Sequence, residues 1–410
     1  MSNTFKVVDM VTKEALRIAH EKATFIGTVD RQYDDSFKNT GGAIGQTLRV
    51  REPNQYIRRQ GSRVMNAQDQ NESTQTITVA TQDGVDMHFN SAELIQSVNN
   101  DGAFDNLSKN YIEPAVSSLI SGIEGDFLAF CTKATAKVAG TAGSAINSLT
   151  ALGAARAKLN QGLAPKDRRC VQMDSVTMSS LVAGTAAYFA PAGDVSERFR
   201  EGFVKRTGMA DFYENERIWT LPNAADVAGE INGGTLTSGI TTITVDGFTA
   251  APVAGMVFTI GSGSGETGVY DVHPETKQAY PHLKQFTVVS ATTTSITFTP
   301  AIIYDTTNPK QNCSGAPADN ADIVFVGSAS TSYVQPIMYH PEAFQFVTAD
   351  LPLMDDAHKC VRRVKDGLSV RVWMGSDIVN DKLLMRLDIL YGMAALRPEW
   401  ACRMIGAANA

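Results

Sequence analysis

The sequence predicts an α+β fold that carries a separate, inserted β-rich domain. Apolar residues recur at helical spacing in the first half of the chain, and short strand-like runs fill residues 229–330. The chain then ends on a long apolar strand, Lys382–Tyr391, which Gly392 is expected to break. Such a strand is too apolar to lie alone at a sheet edge, so it must complete a sheet built from earlier residues.

Size and composition describe a globular protein of two or three structural units. The chain has 410 residues, of which 43% are hydrophobic and 19% charged, which argues against disorder. The formal net charge of −7 argues against a basic nucleic-acid binder, though not against a protein that surrounds nucleic acid. We expect no signal peptide, no membrane span and no disulfide framework, because the apolar runs are short and the five cysteines are scattered.

A long hairpin is predicted near the N-terminus, after a helix at residues 8–24 and a polar connector at 30–45. Thr47–Arg51 and Thr76–Ala80 both alternate as half-buried strands do. The polar excursion between them, residues 52–74, has no core of its own and therefore needs a partner to lie on.

Helices and strands alternate in the next part of the chain. Residues 103–137 repeat apolar side chains at every third or fourth position, which predicts a long helix that Pro114 should kink or interrupt. A second helix at Ser148–Asn160, a strand at Cys170–Met173 and a short helix at Ser175–Val182 are expected after it.

The composition changes abruptly at residues 229–330, which contain 17 Thr, no Arg and three Lys. Turns rich in Gly, Pro and Asn separate the strand-like runs, as in a small antiparallel barrel or sandwich. The predicted strands are Ile240–Val245, Met256–Ile260, Val269–Val272, Gln285–Val289, Ile296–Thr299 and Ile323–Val326.

No catalytic, cofactor-binding or metal-binding residues are predicted. Gly263–Gly268 matches a dinucleotide fingerprint in letters, but a strand rather than a helix should follow it, so we interpret it as a turn. His358 and Cys360 lack a second ligand pair at zinc spacing. The adjacent acids Asp34-Asp35 and Asp355-Asp356 cannot face each other across a cleft, and we expect His273 and His282 to be surface loop residues.

One charge cluster lies in the hairpin. Residues 46–82 hold five arginines against Glu52, Asp69 and Glu72. A solvated loop, contact with nucleic-acid phosphates and ion pairs with a neighbouring subunit are all compatible with it. We favour the subunit, because aromatic residues for base stacking are sparse and bidentate ion pairs suit a hairpin that needs a partner. The candidate contact residues are Arg49, Arg51, Arg58, Arg59 and Arg63.

The order of these parts resembles the major capsid proteins of tailed bacteriophages with the Hong Kong 97-type fold. More narrowly, it resembles the coat proteins of the short-tailed Salmonella phage P-twenty-two type, which carry an inserted β-barrel. Residues 388–400, with Tyr391-Gly392 and Arg397-Pro398-Glu399, are similar to that family's closing strand. Gly202, Gly208 and the Leu221-Pro222 ending resemble its turn before the insertion.

The resemblance implies a division of the chain. Residues 1–45 would form an N-terminal helix and arm, and 46–82 an extended loop that overlaps the adjacent subunit. Residues 83–228 would form the peripheral domain with its spine helix and the first part of the axial domain. The inserted β-barrel would occupy 229–330, and the rest of the axial domain with the closing strand would occupy 331–410.

The function implied is that of a non-enzymatic major capsid protein, which assembles through pentamers and hexamers into an icosahedral shell around double-stranded DNA. Scaffolding protein and portal are the expected partners during assembly in the host cytoplasm, and the mature location is the virion. The alternative is another virion structural protein, such as a tail or decoration component. An enzyme has only the Gly263–Gly268 turn to support it.

Replacing Leu387 or Ile389 with a polar residue should prevent folding first, and assembly only as a consequence. Both side chains lie in the predicted buried strand, where a polar group would lose water without gaining a partner. Soluble yield and circular dichroism of the variants test this. Variants that are soluble and folded but do not assemble would contradict it.

Overall fold

A computed structural model describes most of the chain. Gaps of up to 24 residues separate the described ranges. The predicted helix at 8–24 is described at 15–18, which are helical, and at 23–24, which are not. The described residues are 15–18, 23–30, 47–59, 61, 63–65, 67–68, 74–90, 111–185, 210–234, 236–261, 268–354, 359–365 and 368–407.

The chain divides into two compact units, each made of separate segments. The first contains Met1–Val50, Thr74–Phe127 and Phe344–Ala394. The second contains the remaining residues, including the whole region expected as the insert. The segment 331–410, which the sequence analysis assigns to one continuous part, is therefore shared between the two units.

The closing strand, Lys382–Ala395, lies inside the sheet of the first unit. It pairs antiparallel with Thr81–Asn90 on one side, from Lys382 opposite Asn90 to Tyr391 opposite Thr81. On the other side it pairs with Leu368–Asp377, which in turn pairs with Lys359–Lys365. The fifth strand is Phe344–Ala349. The prediction that the C-terminal strand completes a sheet with earlier residues is confirmed.

The expected break at Gly392 is wrong, because the strand continues through it to Ala395. A Cβ atom at Gly392 would lie 2.4 Å from the carbonyl oxygen of Thr78. Glycine is therefore needed here for close approach of two backbones, which is the other common role of glycine within a strand.

The same sheet buries a charged pair. Asp388 is 0% exposed, and its carboxylate accepts a 2.6 Å hydrogen bond from Nη2 of the buried Arg371 and a 3.0 Å bond from Nε of Arg386. Gly84 lies opposite Asp388 in the register, and a Cβ there would be 2.6 Å from Asp388 Oδ1. Gly84 therefore leaves room for the carboxylate, which is satisfied by two guanidinium groups.

The long helix α1 spans Glu113–Ala134, with Pro114 in its first turn, where proline is tolerated. Tyr111 and Ile112 have π-helical backbone directly before α1, so helical structure precedes Pro114. Residues 103–110 lie outside the described residues, and the predicted extension to 137 is absent. By length and composition α1 could cross a membrane, but 56% of its apolar window is buried in the protein. That burial is typical of a core helix.

The second unit contains a five-stranded sheet flanked by two helices, α2 (Leu149–Gln161) and α3 (Ser175–Thr185). These helices and the strand Cys170–Met173 confirm the predicted elements to within three residues. The last strand, Ala401–Met404, was not predicted. In order, the sheet consists of Val138–Ala139, Ala401–Met404, Ile337–Tyr339, Cys170–Met173 and Asp211–Glu214.

The other described elements outside the barrel region are short. Thr47–Arg51 pairs with Thr74–Thr78, so the predicted hairpin is present with its second strand two residues earlier than expected. Thr220–Pro222 pairs with Ser332–Val334. Two single-turn 3₁₀ helices lie at Pro341–Ala343 and Pro398–Trp400.

Six strands between residues 228 and 325 close into a barrel, and Tyr270–Val272 pairs with Ala279–Leu283 beside it. Each of the six predicted runs in this region contains a strand. Phe258, Phe286, Phe298 and Phe325 fill the interior, with ring centroids 5.2–5.7 Å apart. In order around the barrel, the strands are Val257–Ile260, Phe286–Ala291, Ser295–Ile302, Ile240–Asp246, Ala228–Ile231 and Asp322–Phe325.

Replacing Gly392 with Ala should lower the midpoint of urea unfolding, by an amount equivalent to about 1–3 kcal/mol, because the new methyl group would overlap the Thr78 carbonyl. Gly375→Ala is the matched control. Gly375 lies in the same sheet, and a Cβ there meets nothing within 4 Å. Equal midpoints for the two variants would show that the protein accommodates a methyl group at Gly392 without losing stability.

Candidate intersubunit surface

The arm, residues 46–82, is a hairpin whose outer part has little secondary structure. Beyond the paired strands, the described residues of 52–68 form no helix or strand. One side chain connects the two halves of this excursion. Gln68 Nε2 donates a 2.6 Å hydrogen bond to the Ile57 carbonyl, and Gln68 Oε1 accepts a 2.9 Å bond from the Ile57 amide. The side chain of Gln68 thus forms with Ile57 the two hydrogen bonds that the backbone of a neighbouring strand would form.

The five arginines predicted as contact residues all lie on the exposed side of the arm. Arg49 and Arg51 share one face of the strand Thr47–Arg51, since they are two residues apart and alternate with less exposed neighbours. Arg58, Arg59 and Arg63 follow in the irregular segment and are exposed. The guanidinium of Arg59 donates to the carbonyl of Val64, so this side chain also shapes the arm.

Exposed apolar side chains are interspersed with these arginines. Tyr56 is 55% exposed, Val64 77% and Met65 81%. Arginine, methionine and tyrosine are enriched at protein–protein interfaces, whereas such apolar exposure is unfavourable on a surface that stays in water. In the sequence analysis, aromatic residues are noted only as sparse in this segment. Val64 and Met65 are missed there, although two adjacent apolar residues are unusual in an otherwise polar excursion.

The base of the arm contacts the barrel region within the second unit. Lys310 Nζ lies 2.9 Å from Glu52 Oε2, and both side chains are partly exposed. An exposed ion pair of this kind contributes less than about 1 kcal/mol. The pair therefore orients the arm only weakly.

Buried polar contacts connect the barrel to the rest of the second unit. Gln285 accepts a 3.0 Å hydrogen bond from the Val138 amide and donates a 3.1 Å bond to the Val138 carbonyl. The fully buried Arg403 donates to the Gly255 carbonyl at 2.7 Å and to Thr287 Oγ1 at 3.1 Å. Burial lowers the pKa of Arg403 to about 9. Because the guanidinium is held by oxygens of the barrel, the barrel has a fixed position on this unit.

Histidines, acidic pairs and a glycine-rich turn were also considered in the sequence analysis, and the structure describes only some of them. His282 lies on the strand Ala279–Leu283 rather than in a surface loop, with Nε2 3.6 Å from Asp271 Oδ2. His273 is in a turn, where its Nδ1 accepts from two backbone amides. No group of three or more potential metal ligands occurs among the described residues. Most of the Gly263–Gly268 turn, both acidic pairs and His358 lie outside the residues described.

Solved structures share the fold at low sequence identity. A chain from Mycobacterium phage Che8 is 11% identical, with a TM-score of 0.50 over 93% of this chain and 90% of that one. The capsid of Ralstonia phage GP4 is 7% identical, with a TM-score of 0.47 over 95% and 92% of the two chains. The capsid of Myoviridae phage XM1 is 10% identical, with a TM-score of 0.40 over 94% and 92%. The Che8 similarity shows a fold found in a tailed phage.

The structural similarity shows the fold alone. The class of protein follows from the sequence itself. Residues 220–406 match the family described as P22 coat protein - gene protein 5. This match begins at the strand before the barrel and extends past the last strand, so it includes the barrel and both C-terminal strands. No curated protein matches the sequence. The predicted tailed-phage major capsid protein, which forms the shell of the virion, is confirmed.

Replacing Gln285 with Ala should loosen the attachment of the barrel, because the amide and carbonyl of Val138 would lose their partners, at about 1–3 kcal/mol in total. Hydrogen exchange measured by mass spectrometry should show faster exchange in peptides that contain Val138. Gln278→Ala, at an exposed position of the same region, should leave exchange unchanged. Equal protection in both variants would contradict the role of Gln285.

Proposed function

We propose that this capsid protein assembles through pentamers and hexamers, and that the arm overlaps the adjacent subunit. The observation that carries the proposal is the combination of exposed arginines with Tyr56, Val64 and Met65 on an excursion without a core. Rings of five and six subunits require heterologous contacts, in which one surface of a subunit meets a different surface of the next. A long arm adds buried area to such a contact without a rigid, flat face.

The arginines Arg49, Arg51, Arg58, Arg59 and Arg63 are proposed to pair with carboxylates of the neighbouring subunit. A guanidinium can bind a carboxylate through two parallel hydrogen bonds, which fixes orientation as well as charge. The chain has 43 acidic residues against 36 Lys and Arg, so another copy of it can supply the partner. The apolar side chains between the arginines would then be covered by the same contact.

The parts of the chain are proposed to take the positions of a Hong Kong 97-type subunit. The peripheral domain would use α1 as its spine, and the axial domain would lie near the fivefold and sixfold axes. The barrel at residues 229–330 would be an inserted domain that projects outward, stabilises the monomer and touches neighbouring capsomers. The N-terminal residues 1–45 would face the interior. The contacts of Gln285 and Arg403 support a barrel that is fixed within its own subunit.

The partners proposed for assembly are a scaffolding protein and a portal, in the cytoplasm of the host bacterium. The shell would enclose double-stranded DNA without sequence-specific binding. The net charge of −7 supports this, because a mildly acidic protein does not hold phosphates strongly. A structural role of this kind involves no enzymatic activity.

Reversing two charges of the arm, as Arg58→Glu with Arg59→Glu, should impair shell assembly while the subunit stays folded. The new carboxylates would repel the acidic partners that we propose on the adjacent subunit. Negative-stain electron microscopy and sedimentation should show at least a tenfold loss of shells, with unchanged circular dichroism.

The matched control is Lys166→Glu with Arg168→Glu, the same reversal at two exposed positions outside the arm. This control should assemble as the wild type does. A normal shell yield from the arm variant would reject the contact role. Tubes or trimers from the wild-type chain, instead of shells, would indicate a different virion component.

A further inference from the structure

A small cavity lies within the second unit, beside the contacts that hold the barrel. Its volume is about 80 Å³, which is room for several waters or for one ion of the size of phosphate. One wall comes from the barrel region, through Lys284, Thr299 and Pro300. The opposite walls come from the segment after α1, from the C-terminal half of α2 and from the turn Pro398–Trp400.

Three lysines line this cavity: Lys137, Lys158 and Lys284. Two carboxylates are also present. Asp271 is already engaged, because its Oδ1 accepts a 2.7 Å bond from Lys284 and its Oδ2 lies 3.6 Å from His282. Glu399 is exposed over the whole residue, but burial raises the pKa of its carboxyl group. Three lysines thus face two carboxylates, and one of these carboxylates, that of Asp271, is bound to Lys284.

The other two ammonium groups have no carboxylate in contact among the described residues. Lys137 Nζ donates to two neutral acceptors, the Lys158 carbonyl at 3.0 Å and the Glu399 carbonyl at 2.9 Å. An ammonium has three N–H donors, so one remains. The ammonium group of Lys158 forms no hydrogen bond or ion pair with any residue that the structure describes. The hydrogen bond to the Lys158 carbonyl, near the C-terminal end of α2, explains the position of Lys137. It does not explain why the side chains of Lys158 and Lys284 line the same cavity.

We propose that this cavity binds one small tetrahedral oxyanion, of the class of inorganic phosphate, between Lys137, Lys158 and Lys284. The ion would accept hydrogen bonds from the free donor of Lys137 and from Lys158, and it would offset the mutual repulsion of the three ammonium groups. Because Lys284 belongs to the barrel region and the other two lysines do not, the ion would bridge the same junction that Gln285 spans.

The electrostatic state of Lys137 agrees with such a site. Burial lowers the pKa of its ammonium to about 8, and the charge of Lys284 contributes to the decrease. Burial also lowers the pKa of Lys158. Both shifts come first from the loss of water around the ammonium groups, and a bound oxyanion would favour their charged forms.

The cavity also limits the source of the oxyanion. Its volume of about 80 Å³ fits one small ion, and among the described residues its lining includes no aromatic side chain on which a base could stack. We therefore assign the site to a free ion, and duplex DNA should not compete for it.

Equilibrium dialysis of the full-length purified subunit against ³²P-labelled orthophosphate at pH 7 tests the proposal. Direct binding is preferable to a melting curve, since phosphate stabilises proteins generally by exclusion from their surface. The wild type should bind one phosphate per chain with saturation. Lys158→Met should weaken binding at least tenfold, and it should fold normally, because Lys158 holds no other group in place.

Lys166→Met is the control, since it removes the same charge at an exposed position, and its affinity should stay within a factor of two of the wild type. Chloride at equal ionic strength and a twelve-base-pair DNA duplex should not displace the label. The proposal fails if binding does not saturate, if Lys158→Met and Lys166→Met bind alike, or if the duplex displaces phosphate.

Discussion

The fold depends on the pairing of the closing strand with Thr81–Asn90. Ten residue pairs in continuous antiparallel register join parts of the chain that are about three hundred residues apart in sequence. For this pairing to form, the chain between the two strands, including the barrel, must leave the sheet and return to it. The register also places Gly84 opposite Asp388, and Gly392 beside Thr78, so a shift by one residue would bring a side chain against a backbone carbonyl and turn the apolar face outward. The apolar pattern of the strand alone does not select one register. The close approaches at Gly84 and Gly392 do.

The elements that the sequence predicts well are those whose own residues carry the pattern. The strands of the barrel are short, alternate strongly and are bounded by turn residues, and the closing strand is apolar along most of its length. Thr81–Asn90 could not be found in this way, because Gln82, Asp83 and Asp86 are polar and the strand is mostly exposed or half-buried. Its conformation is imposed by its partner. Ala401–Met404 is completely buried, but it contains an arginine and follows a proline, which together resemble the end of a fold rather than a core strand.

The candidate surface shows the same limit. The arginines of the arm were identified by their number, since five in one polar segment is a local property. The exposure of Val64 and Met65 could have been inferred, because the sequence already predicts that residues 52–74 have no core of their own, but two apolar residues in a polar segment are a weaker signal than five arginines. The hydrogen bonds between Gln285 and Val138 are harder still to predict from the sequence. An amide side chain that satisfies the backbone of a residue 147 positions away looks the same in a sequence as any surface glutamine.

A shell protein must combine parts that do not move with parts that adapt, since copies of one chain meet at non-identical contacts. The second unit contains both kinds. In the barrel, four phenylalanines pack together, and Gln285 and the buried Arg403 leave it little freedom, since breaking either contact strands buried polar groups. The contacts of the outer arm include those of the Gln68 side chain, the hydrogen bond of Arg59 and the exposed pair of Glu52 with Lys310, each of which costs little to rearrange. The contacts that fix the barrel are thus buried inside the subunit, whereas the proposed contacts with the next subunit would form on the exposed side chains of the arm. An arm held by weak contacts could adapt to the different positions that the proposed pentamers and hexamers require.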